Sequence, residues 1–107
     1  MTRRPFTGKP EDMYARYDDH DQNNRNFIVA AFENNIIGKL FWPNYEAAPW
    51  HLQMEANGQL INFWPHKGKA HVAYESKVAY GLQSIFDTVR RVESETLEDF
   101  ELVETGQ

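Results

Sequence analysis

The stretch WHLQMEANGQLINFWPHKGKAHVAYE, residues 50–75, decides the fold. Asn57-Gly58 stands between two apolar runs, and this dipeptide suits a type I′ hairpin turn, in which both central residues need positive φ. A two-residue loop fixes the pairing that follows: Ala56 opposite Gln59, Met54 opposite Ile61, Leu52 opposite Phe63 and His51 opposite Trp64. Paired residues share a face and neighbours alternate, so Leu52, Met54, Ile61 and Phe63 line one apolar side. His51, Gln53, Glu55, Leu60, Asn62 and Trp64 line the other, where Trp64 is the odd member of a mostly polar set.

A second turn is expected at HKGK, with Gly68 able to adopt a left-handed conformation. With Lys67-Gly68 as its loop, Phe63 meets Val72, Ile61 meets Tyr74, and His71 comes beside Trp64. His51, Trp64 and His71 then form a row across three strands, with Lys67 and Lys69 at its end. A loop one residue longer, with a bulge at the glycine, would take His71 out of that row.

Outward from this centre the pattern turns helical. In YGLQSIFDTVRRV, Leu82, Ile85, Phe86, Val89 and Val92 recur at helical spacing, with Gln83, Asp87, Arg90 and Arg91 turned outward. NFIVAAFENNIIGKL fits either two strands or a helix with an Ile28, Val29, Phe32, Ile36, Leu40 stripe. Paired alanines and the Asn35…Gly38 stop signal favour the helix. WPNYEAAP reads as a loop, and KPEDMYARYDDHDQNNRN as a polar segment opening with a short helix after Pro10. The expected fold is α+β: a three- to four-stranded antiparallel sheet against a C-terminal helix, with one or two N-terminal helices. The leading core candidates are Leu52, Met54, Ile61, Phe63, Val72, Ile85, Phe86 and Val89.

The chain has 107 residues, 41% hydrophobic and 25% charged. That composition fits one domain able to bury its own core. There are no cysteines, which excludes disulfide scaffolds, thiolate zinc sites and cysteine nucleophiles. No run reaches the roughly 18 apolar residues of a membrane span, and MTRRPFTGKPED lacks an apolar segment after its arginines. A cytoplasmic location is the expectation. The net charge of −5 is unevenly distributed: residues 1–91 carry all 11 Lys and Arg against 10 acids, while residues 92–107 carry six acids and no base. The reading is a globular domain over 1–93 and an acidic tail over 94–107, in which Phe100, Leu102 and Val103 leave room for docking as well as solvation.

The Trp64 surface admits several chemistries. Metal binding is disfavoured, because the indole separates His51 from His71 and no carboxylate completes the shell. Asp18, Asp19, His20 and Asp21 lack the glycine and spacing of a calcium loop. His51, His66 or His71 could serve as an acid or base, but there is no nucleophile elbow and no phosphate-binding glycine loop. An N-terminal helix could cover Trp64 as a second core layer. Aromatic and lysine side chains on a strand could stack bases and meet phosphates of single-stranded nucleic acid, yet the acidic chain lacks the basic footprint. A protein-binding face needs no further residues: His51, Asn62, Trp64, His66, Lys67, Lys69 and His71 have the composition of an interface centre.

The run from the hydrophobic strand through INFWPHKGKA to the helix opening YGLQSIF resembles short orphan proteins of bacteriophages and prophages, over about residues 50–92. The resemblance implies a non-enzymatic accessory protein, and no cofactor is expected. Such a protein binds and inhibits a bacterial host complex, such as a nucleic-acid-processing complex or defence system.

Overall fold

The computed structural model describes residues 3–8, 21–49 and 51–105, without the side chains of Asp21 and of residues 96–105. Among the described residues six strands form one antiparallel sheet in chain order. They are β1 (Arg4–Pro5), β2 (Phe41–Trp42), β3 (Leu52–Ala56), β4 (Gln59–Trp64), β5 (Lys69–Val72) and β6 (Val78–Tyr80). Helix α1 (Asp21–Glu33) lies between β1 and β2 in the chain, and α2 (Leu82–Thr105) follows β6. The class is α+β as expected, with more strands than the three or four anticipated. The expected helix after Pro10 and the Asp18, Asp19, His20 cluster lie outside the described residues.

The central hairpin forms in the expected register, from Ala56↔Gln59 to Leu52↔Phe63. Its turn has φ of 52° at Asn57 and 75° at Gly58, the two positive values of type I′. The Asn57 Nδ2 donates to the carbonyls of Val92 and Glu93, which ties the turn to α2.

The β4–β5 register differs from expectation. Pro65–Lys67 form a 3-10 turn closed by Gly68 at φ 63°, so the connection has four residues rather than two. Ile61 therefore pairs with Val72, Asn62 with His71, Phe63 with Ala70 and Trp64 with Lys69. The shift is two residues, which preserves the faces but changes every partner. Val72 stays in the core, while Tyr74, expected opposite Ile61, is 88% exposed beyond the end of β5.

Both helices pack on the same side of the sheet. On α1 the buried residues are Asn24, Phe27, Ile28 and Ala31, the spacing of one helical face. Phe27 wedges between Phe63 of β4, at 5.6 Å, and Phe86 of α2, at 5.7 Å. The stripe expected from Ile28 to Leu40 is corrected here: Val29 and Phe32 are exposed. The helix stops early because Asn35 turns left-handed, at φ 60°, and Ile36 N–H bonds back to the Ala31 carbonyl. Ile36 and Leu40 are buried as the chain leaves the helix. All eight leading core candidates are buried in one cluster, joined by Phe6, Trp42 and Val92.

The segment between β5 and β6 is fastened to α2 by Glu75, whose two oxygens accept from Arg91 at 2.7 and 2.9 Å. This hydrogen-bonded pairing holds the Glu75 carboxyl below its usual range and raises Arg91. A lowered carboxylate stabilises the fold above its unfolded titration range and loses that contribution as pH falls through its folded one. Both side chains are partly exposed, at 32% and 44%, so the pair contributes about 0.2–1 kcal/mol. Glu75→Gln is expected to cost that much at neutral pH, with its stability curve merging with the native one under acid. A gap in urea midpoints that persists unchanged below pH 2 would contradict the ionic origin.

Candidate functional site: the helix-free face of the sheet

Strand alternation places a second set of side chains opposite the helices. Continuing the register of each pair across the sheet gives two rows. One contains His51, Trp64, Lys69 and Tyr80; the other contains Phe41, Gln53, Asn62, His71 and Val78. Among the described residues no helix covers these rows, so the second-layer reading of Trp64 is not realised by α1. Lys69 takes the place expected for His71, and His71 falls in the adjacent row because of the two-residue shift.

Trp64 is half-buried between its neighbours. The His51 ring stacks on the indole at 5.0 Å and 7°. Lys69 Nζ lies over the indole 4.9 Å from its centroid. Since β3 and β5 border β4 on opposite sides, imidazole and ammonium approach the ring from opposite sides. The indole is thus contacted on both faces. Its N–H makes no hydrogen bond with a described residue, so it is a free donor at the centre of the row.

Asn62 organises the second row. Its Oδ1 accepts from Gln53 Nε2 at 2.7 Å and lies 2.8 Å from His51 Nε2. A carbonyl oxygen only accepts, so His51 carries its proton on Nε2 in this arrangement. The His71 Nε2 likewise donates to the Glu75 carbonyl. Both imidazoles thus use Nε2 to position themselves and the strands around them. At the far edge Arg3 lies over the Phe41 ring, 4.2 Å from its centroid, and 3.7 Å from Glu55.

The structure brings together His51, Asn62, Trp64, Lys69 and His71. It does not bring His66 and Lys67 into the rows. Their turn packs against α1, where Asn23 Nδ2 donates to the His66 carbonyl at 2.8 Å and His66 Nδ1 is buried. Lys67 stands exposed at the turn. Gln53 lies on this face as the hairpin register placed it, and Val78 and Tyr80 join it without having been assigned there from the sequence. β6 is too short to give a period. Of the lysines expected here only Lys69 lies on this face, and it makes no ion pair with a described carboxylate.

Among the described residues no three His, Asp or Glu side chains converge as a metal site. No helix of the described residues is long and apolar enough to cross a membrane. The chain matches no protein-family model, no curated protein and no solved structure.

Proposed function

We propose that this domain is a non-enzymatic protein-interaction module whose contact surface is the helix-free face, with Trp64 as its anchor. The observation that carries this reading is the indole contacted on both faces. Base stacking needs an open ring face, and both faces of Trp64 are taken by His51 and Lys69. An indole with a free N–H, held rigid before binding and ringed by His, Asn, Gln and Tyr, suits a protein interface. Rigidity reduces the ordering cost on association. The resemblance to phage-encoded orphan proteins supplies the partner class: a bacterial host complex that the module binds and inhibits.

The test is Trp64→Ala. The fold should survive with little change in melting temperature, because the residue projects from the side opposite Phe63 and Phe27. Affinity for a partner captured from bacterial lysate should fall by at least about 2 kcal/mol. Undiminished binding by the folded variant would remove Trp64 from the interface. Capture that disappears on nuclease treatment, with oligonucleotide binding that declines steeply with salt, would favour nucleic acid instead.

A further inference from the structure

Among the described residues β6 ends the sheet, and its hydrogen-bonding pattern shows which of its backbone groups no described strand uses. Gly81 N–H donates to the Gly68 carbonyl at 2.8 Å, which makes that pair hydrogen-bonded. Antiparallel pairs alternate between hydrogen-bonded and non-hydrogen-bonded. Two residues on, Ala70↔Ala79 is therefore hydrogen-bonded, while Lys69↔Tyr80 and His71↔Val78 are not. The N–H and C=O of Val78 and Tyr80 consequently point away from β5, out of the sheet. Their side chains lie on the helix-free face, 39% and 66% exposed. Exposed edges of this kind are normally shortened, covered or guarded by charge. Here Lys77 is the flanking charge, and the three strand residues carry none.

We propose that β6 pairs antiparallel with β6 of a second copy of this chain, in a register centred on Ala79. Only such a register satisfies the edge by itself. Val78 faces Tyr80 of the copy and Tyr80 faces Val78, so all four outward backbone groups of each chain are used in four hydrogen bonds. Each facing pair joins an aromatic to a β-branched side chain, a favourable cross-strand combination. At the two-fold axis Ala79 meets Ala79, which is small enough for the close approach of a non-hydrogen-bonded pair. Lys77 comes opposite Gly81 rather than its own counterpart, so the flanking charges do not oppose each other. The product is a continuous twelve-stranded sheet in which two Trp64 rows lie on one extended face. The interface is small, below about 1,200 Å², so the association is concentration-dependent.

Sedimentation of the full chain over a concentration series reaching about 1 mM reads the mass directly. The mass should rise from 12.6 kDa toward twice that value. A Val78→Glu, Tyr80→Glu variant sets like charges opposite each other twice and should remain monomeric. Val78→Lys with Tyr80→Glu sets opposite charges together only in this register, and should associate at least about tenfold more tightly than the double-Glu variant. In the unsubstituted chain, amide exchange at Val78 and Tyr80 should slow as concentration rises, while Ala79 is protected throughout. Exchange needs no variant, so the test does not depend on a substituted chain folding. A mass fixed at that of the monomer, equal association of the two variants, or concentration-independent exchange at Val78 and Tyr80 would overturn the proposal. None of these outcomes bears on whether Trp64 anchors a partner, which is read by binding alone.

Discussion

Phe63→Ala should cost about 3 to 5 kcal/mol of stability, a large part of the roughly 5 to 15 kcal/mol that a domain of this size possesses. Phe63 is fully buried. It pairs with Leu52 on β3 and Ala70 on β5, and its ring meets Phe27 of α1. Phe27 in turn meets Phe86 of α2. Truncation leaves a cavity where sheet and both helices converge, and the backbone there cannot collapse without breaking two ladders. Urea unfolding monitored by circular dichroism measures the loss. A cost below about 1 kcal/mol would mean that Phe63 does not face the helices, and the assignment of the two sheet faces would be wrong.

The parts of this fold that were legible in the sequence are those set by adjacent residues. Asn57-Gly58 determines its own turn type, and the turn determines the β3–β4 register, so the apolar and polar faces of the hairpin follow from counting. The C-terminal helix is similarly local, because Leu82, Ile85, Phe86, Val89 and Val92 mark one face over three turns. The next turn was not so determined. Pro65 can start a 3-10 turn, and once it does, Gly68 closes a four-residue connection instead of serving in a two-residue loop. The candidate site inherited that ambiguity. His51 and Trp64 were placed together correctly from the hairpin, whereas His71 was placed one row away from where it lies.

The remaining misses are non-local. On α1, Val29 and Phe32 look as apolar as Phe27 and Ile28, and only contact with Phe63 and Phe86 selects the buried face. β1, β2 and β6 have two or three residues each, too few for an alternation to appear. They exist because a neighbouring strand offers them a ladder. Tyr80, which completes the Trp64 row, could therefore be found only by following hydrogen bonds across the sheet.

Trp42→Ala is the second change with a large expected effect, and it contrasts with Trp64→Ala. Trp42 is fully buried, and its Nε1 donates to the Pro49 carbonyl at 2.8 Å. Phe6 meets its ring edge-on at 5.2 Å and Tyr45 at 4.9 Å. Arg4 lies over the Tyr45 ring at 4.2 Å and over Trp42 at 5.6 Å. One side chain thus joins β1, β2 and the loop after β2, three segments with little regular hydrogen bonding of their own. Its removal should cost about 3 to 5 kcal/mol. Trp42→Phe keeps most of the apolar volume but leaves the Pro49 carbonyl without its donor, and should cost about 1 to 3 kcal/mol. Hydrogen exchange should show β1 and residues 43–49 opening before β3 and β4 in the alanine variant, because the hairpin retains its own ladder and helices. If the alanine variant loses less than about 1 kcal/mol, β1 and β2 are not integral to the core. The two tryptophans would then lose the distinction drawn here, in which Trp42 holds the fold together and Trp64 is held out from it.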